Sequence, residues 1–182
     1  MFDTSIHLGQ FCTTGEATRI ACKNSQAQIS TKPETGVVGM VTFNENSWSD
    51  HIIWSLEREE QDTFYKFMDV FHSVKSIDRV PLSKEAAGLA LTLATEQGLE
   101  MSNALTCAVA ISEGAHEIHT LYKNLLKPTV VAYLKKERNI IATKPPNASE
   151  ITFPEPGLEK AYQDTLQLYR ERKLNLPDQF HV

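Results

Sequence analysis

Oxygen-bearing side chains that stand just beyond apolar runs are the first candidates for chemistry in this chain. Asp3 lies in FDTSI at the start, Asp50 follows the apolar run VVGMVTF (37–43) by a few residues, and Asn124 follows HEIHT (116–120). If those runs are strands of a parallel sheet, ligands bind beyond their carboxyl ends. Side chains from three distant parts of the chain would then converge as carboxylate and amide oxygens, which suit a polar or charged ligand. A further amide, Asn103, opens the stretch NALTCAVAISEGAHEIHTLYKN that Asn124 closes.

Other chemistries have weaker footing. His116 and His119 are three apart on an expected strand, a spacing that points them to opposite faces and argues against zinc. His7, His51 and His72 could each supply a base, but no spacing brings them together. Cys12, Cys22 and Cys107 are odd in number, widely spaced and without a CxxC pair. That pattern excludes a disulfide framework or zinc ribbon and fits small buried hydrophobes in a reducing cytoplasm. Neither a Gly-rich phosphate loop nor a nucleophile elbow occurs. The segment 121–146 holds Lys123, Lys127, Lys135, Lys136, Arg138 and Lys144 against Glu137 alone, a local charge of +5 in a chain of −5. Such a run either tracks a phosphate backbone or is a solvated helix face.

The elements that must position these groups read as follows. FDTSIH is short and rich in β-branched residues, so a strand ending near His7 is expected. Thr14 to about Ala27 is weakly helical, and STKPETG (30–36) is a loop. VVGMVTF is nearly all apolar, which predicts a buried strand. Ser47 predicts an N-cap, with Asp50 three residues on in the capping-box place. Phe64, Phe67, Met68 and Phe71 fall on one helical stripe and predict core. Ser83 caps a helix that Gly98 ends. Met101 to Ser112 is an Ala-rich helix, followed by a strand at 116–120. A helix at 129–137 leads to a last strand at NIIA, and 157–173 is amphipathic with Leu158, Tyr162, Leu166 and Tyr169 on one face. Strands alternating with helices predict an α/β fold, a central parallel sheet flanked by helices.

With 182 residues the chain is of single-domain length. Hydrophobic residues make up 41% and charged residues 23%, enough for an ordinary core. The absence of a run of about 18 apolar residues argues against a membrane-spanning helix. The N-terminus has an early acid and no basic region, so no signal peptide is expected, and a cytoplasmic location follows.

In order and spacing these elements resemble the PIN domain (PilT N-terminus) family of Mg²⁺- or Mn²⁺-dependent nucleases. FDTSI is similar to the family's first strand with its Asp-Thr-Asn or Asp-Thr-Ser ending, which puts the first acid at Asp3. VTFNENSWSDHII looks like the strand, turn and helix of the second acid, at Asp50. SNALTCAVAISEGAHEIHT is similar to the Ala-rich helix, Gly, strand and Thr of the third motif, with Asn103 at the acid's place. The fourth acid's place in TLYKNL falls on Asn124. The resemblance covers roughly residues 2–145. DHIIWSLEREEQDTFYKFMDVFHS also looks like an uncharacterised bacterial family with a PIN-like layout, which adds a fold and no activity.

The resemblance implies a three-layer α/β/α domain over 1–145 and a C-terminal extension over 146–182 with one amphipathic helix. It implies Asp3 and Asp50 as ligands of Mg²⁺ or Mn²⁺, with Asn103 and Asn124 as auxiliary site residues; on the phosphate-tracking reading of the basic run, Lys123, Lys127, Lys135, Lys136 and Arg138 are the contacts to RNA. The departures matter physically, because a hard cation wants anionic oxygens. Each carboxylate replaced by an amide forfeits gross attraction on the order of 4 kcal/mol per unit cation charge at ~4 Å and an effective dielectric of about 20. Glu100, one helical turn before Asn103, is a candidate replacement. Two readings therefore stand. One is a metal-dependent ribonuclease of toxin or defence type, with an antitoxin-like partner or a second copy. The other is a catalytically inactive PIN-like module that binds a protein partner or nucleic acid. Neither involves a membrane.

Overall fold

The computed structural model describes residues 1–11, 15–30, 39–41, 57–74 and 77–172. The chain enters at Phe2, which makes one parallel bridge to His119, and turns helical at once in α1 (Thr4–Gly9). The cause is local. Asp3 adopts an extended backbone, φ −90° and ψ 173°, and its carboxylate accepts the Ser5 N–H, which is what an N-cap does for the orphan amides of a first turn. The strand expected to run to His7 is therefore a single bridging residue followed by a helix.

α2 (Glu16–Ser30) packs on α1. Their approach is close enough to need Gly9, where a Cβ would meet Cys22 Sγ at 2.7 Å and Leu121 Cδ1 at 2.8 Å. β1 (Gly39–Val41) pairs in parallel with β2 (Ile77–Arg79) in the register Gly39↔Ile77. Between them runs α3 (Arg58–Ser73). α4 (Lys84–Gln97) begins where Ser83 Oγ accepts the Ala86 N–H at 3.0 Å and ends at Gly98, whose φ of 61° is left-handed. Both signals are those expected from the sequence. α5 (Met101–Ser112) returns against α4. β3 (Glu117–His119), α6 (Pro128–Arg138) and β4 (Ile141–Thr143) then form a crossover unit, parallel in the register Glu117↔Ile141. α7 (Pro156–Arg172) closes the described chain.

The core is aromatic and lies mainly between helices. Phe64, Phe67, Met68 and Phe71 of α3 are buried as their spacing predicts, and so are Leu158, Tyr162, Leu166 and Tyr169 of α7. The Phe11 ring sits 5.0 Å from Phe67, 5.4 Å from Tyr162 and 5.3 Å from Tyr169 between ring centroids. A fully buried side chain of this kind contributes roughly 1.5–3 kcal/mol. α7 thus shares one hydrophobic cluster with α1, α3 and α5.

This overturns the expected three-layer α/β/α architecture with a central parallel sheet. The described residues hold two separate two-stranded ladders, each strand three residues long, in a predominantly helical chain. Strands that short carry too little apolar face to organise layers, and the first of the expected strands is diverted into α1. Among the described residues no helix is long and apolar enough to cross a membrane. The expected cap at Ser47 and the residues His51 and Cys12 lie outside the described residues.

Candidate functional site

Asp3 is fully buried, and hydrogen bonds tie it directly to His119 of β3 and, through Ser5, to Leu121 just beyond it. Its N–H donates to the His119 carbonyl at 3.3 Å. Its Oδ1 accepts from both the N–H and the hydroxyl of Ser5. The Ser5 hydroxyl in turn accepts the Leu121 N–H at 2.7 Å. One serine oxygen therefore bridges the α1 N-terminus to residues 119–121.

Oδ2 of Asp3 is buried and makes no well-formed hydrogen bond, although the Thr120 hydroxyl stands close enough to favour its charge. Burial raises the Asp3 carboxyl to about 6, and the hydrogen bonds from Ser5, Thr120 and the backbone of Ser5 and Ile6 oppose that rise. A carboxyl so placed is partly protonated near neutrality, and a cation beside it would favour the ionised form.

α5 supplies a second wall. Asn103, in its first turn, is 1% exposed, and neither Oδ1 nor Nδ2 has a partner. Cys107 stands one turn further along the same face. Its thiol is pushed up to about 12, by burial first and then by the Asp3 charge, so this face of α5 lies within electrostatic reach of Asp3. The thiol is inert as a soft ligand.

The third wall is the turn after β3. The Tyr122 N–H donates to the Thr120 hydroxyl at 3.0 Å. The Tyr122 phenol is pushed up by burial first, then by the Asp3 and Glu100 carboxylates. Asn124 follows two residues later, and its Oδ1 is buried without a partner. Asp3 at the start of α1, Asn103 in α5 and Asn124 in the turn after β3 thus each present a buried, unpartnered oxygen. Asp50 lies outside the described residues.

The remaining candidates do not join this cluster. Among the described residues no group of three His, Cys, Asp or Glu side chains could hold a metal ion by itself. His116 is exposed, while His119 Nδ1 meets the Ser25 hydroxyl and its Nε2 lies 3.2 Å from Glu117 Oε1. Burial lowers the His119 pKa, and Glu117 opposes it. Lys123, Lys127, Lys135, Lys136 and Arg138 are all exposed. Lys135, Lys136 and Arg138 occupy the last turn of α6, where the helix dipole favours cations whatever else they do.

Sequence reasoning missed one polar centre. Arg19 and Lys23 of α2 are 5% and 1% exposed, and they hold Glu150 and Glu159 from the far end of the chain. The run KNSQ (23–26) is polar throughout, and its burial depends on neighbours distant in the sequence.

The family model that matches over residues 1–173 shows that the chain belongs to DUF6190, a family of unknown function. No curated protein and no solved structure gives a significant match.

Proposed function

For this DUF6190 protein we propose a divalent-metal-dependent ribonuclease activity centred on Asp3, with Asn103 and Asn124 as neutral auxiliary ligands and Mg²⁺ or Mn²⁺ as the ion. One observation carries the reading: Asp3 Oδ2, both amide atoms of Asn103 and Asn124 Oδ1 are buried without hydrogen-bond partners. A buried polar group left unpaired costs about 1–3 kcal/mol, and such groups in a folded protein call for an explanation. A cation with its water shell would satisfy the oxygens, and an oxygen ligand set suits a hard ion. The bound ion would supply an acidified water and neutralise phosphate charge. The chain's own residues do the rest. Asp3 holds the ion, Ser5 and Thr120 orient Asp3, and Asn103 Nδ2 is a donor for a phosphate oxygen. The exposed lysines of 123–136 and Arg138 follow the RNA backbone.

The amides themselves favour a second reading, a catalytically inactive module that holds RNA or a protein partner, because each amide lacks the charge that an acid would bring to a metal. Incubating labelled single-stranded RNA with the protein and Mn²⁺ separates the two. Cleavage that chelation and Asp3→Asn both abolish supports the nuclease. RNA bound in a salt-dependent way but left intact supports the inactive module. RNA neither bound nor cut removes both nucleic-acid readings and leaves a protein partner.

A further inference from the structure

We infer that Glu100 is the second carboxylate of the Asp3 site, standing at its mouth as the solvent-facing ligand for a hydrated divalent cation. The inference rests on the cation reading above and extends it to a residue outside the four positions that the sequence pattern selected.

Glu100 is the N-cap residue of α5, with φ −61° and ψ 147°, and its side chain makes no capping hydrogen bond. The Glu100 carbonyl accepts the Ala104 N–H at 2.8 Å, the first bond of the helix, and the side chain takes no part in it. The exposed carboxylate therefore makes no capping hydrogen bond at the helix start. On α5, positions 100, 103 and 107 fall on one face. That face runs from exposed Glu100, through buried and unpartnered Asn103, to Cys107 within reach of Asp3. Across the gap, Tyr122 lies within electrostatic reach of both Asp3 and Glu100. Tyr122 thus links the two carboxylates, buried Asp3 and exposed Glu100, and Asn103 stands one turn from Glu100 on α5.

The charge argument agrees. A helix N-terminus carries a positive partial charge and opposes a cation. The Glu100 carboxylate offsets that end of α5 and brings the site's formal charge to −2, the minimum that matches a divalent ion. Exposed Glu100 would meet a hydrated ion first, and Asn103 and Asp3 would hold it from the buried side.

Calorimetry of Mn²⁺ binding to the full chain at pH 7.5 tests the assignment with wild type, Glu100→Gln, Glu100→Asp and Asp3→Asn. The expected result is a loss of at least tenfold in affinity for Glu100→Gln at unchanged melting temperature without metal. Glu100→Asp should recover most of it, and Asp3→Asn should abolish binding. If Glu100→Gln binds as tightly as wild type while Asp3→Asn does not bind, the Glu100 assignment fails and the Asp3 site stands. If wild type does not bind, or Asp3→Asn binds equally, the Asp3 reading itself fails and takes Glu100 with it.

Discussion

Among the described residues, the buried polar groups around α2 and those around Asp3 differ in whether their valences are filled. Around α2, Arg19 donates to Glu150 at 3.1 and 2.9 Å, to Glu16 at 3.0 and 2.7 Å, and to the Tyr162 hydroxyl. Lys23 reaches Glu150 at 3.0 Å and Glu159 at 3.1 Å, with the Tyr162 ring 4.5 Å from its ammonium. Asn24 donates to the Ser149 carbonyl and accepts the Ile151 N–H, both at 2.7 Å. Around Asp3, by contrast, equally buried oxygens and an amide nitrogen face no partner. Burial alone therefore does not mark a functional site. A saturated cluster fastens the chain, and an unsaturated one keeps valence for something else.

Breaking the saturated centre gives the largest expected effect on stability. Glu150→Ala removes the acid shared by Arg19 and Lys23, which are 5% and 1% exposed. Removing one partner of a buried pair costs about 3–5 kcal/mol. The Glu150 side chain is 35% exposed, so solvent recovers part of that and the expected loss in urea unfolding is about 2–3 kcal/mol. The Mn²⁺ affinity of the folded variant should stay within about twofold of wild type, because the two centres share no side chain. Arg19, first, and Lys23 hold Glu150 down to about 2. Its contribution is therefore present above the ordinary carboxylate value and is lost only as pH falls toward 2. A wild-type acid transition that Glu150→Ala shifts upward checks that sign.

Overfilling the unsaturated centre comes next. Asn103→Asp with Asn124→Asp fits without repacking and puts added negative charge beside Asp3. Like charges crowd and raise one another's pKa, so the double variant should melt lower without metal, by an equivalent of about 2 kcal/mol. Mn²⁺ should reverse this with a larger shift than wild type shows, because a ligand that binds only the native state stabilises it. An unchanged Mn²⁺ affinity by calorimetry would remove Asn103 and Asn124 from the site.

What was legible in the sequence follows the range of the interaction. The Ser83 cap, the Gly98 stop, the Phe64–Phe71 stripe and the α7 face depend on neighbours a turn away, and the structure reproduces them. The sheet did not survive because strand pairing is non-local and β-branched composition outweighed a capping signal at Asp3. Asp-x-Ser after Phe2 is a helix start, and reading it so would have ended the first strand where the structure ends it. The site positions Asp3, Asn103 and Asn124 could be chosen from spacing, but no spacing shows that their oxygens lack partners. The Arg19–Glu150 contact spans 131 residues, and nothing local announces it.

A smaller effect concerns Asp3 itself. Its pKa is raised from 3.8 to about 6, so the folded state holds the proton more tightly than the unfolded state does. Stability from this group is full below about pH 4, falls as pH rises to 6, and changes no further above it. Two units amount to about 3 kcal/mol at most. Asn caps a helix as well as Asp does, so Asp3→Asn should gain about 1 kcal/mol at pH 7.5 after the lost helix-dipole contact. Its stability should be flat between pH 4 and 6 where wild type declines. A wild-type curve without that decline would mean that Asp3 stays ionised, held by partners that the unsaturated reading denies it.

The smallest stability change belongs to the exposed basic face, where it separates surface from site. Lys135, Lys136 and Arg138 are solvent-facing, and Lys136 pairs at 3.0 Å with Glu137 alongside it, so replacing all three with Ala should alter unfolding by no more than about 0.5 kcal/mol. Their effect should lie in the salt dependence of RNA binding instead. Each phosphate contact contributes about 0.7 to the slope of log K against log salt for a single strand. Losing three cations should flatten the slope by about 2 while the Mn²⁺ affinity at Asp3 stays unchanged. An unaltered slope would make these side chains only the favourable cations of a helix C-terminus, and the RNA contact would have to be sought on another face.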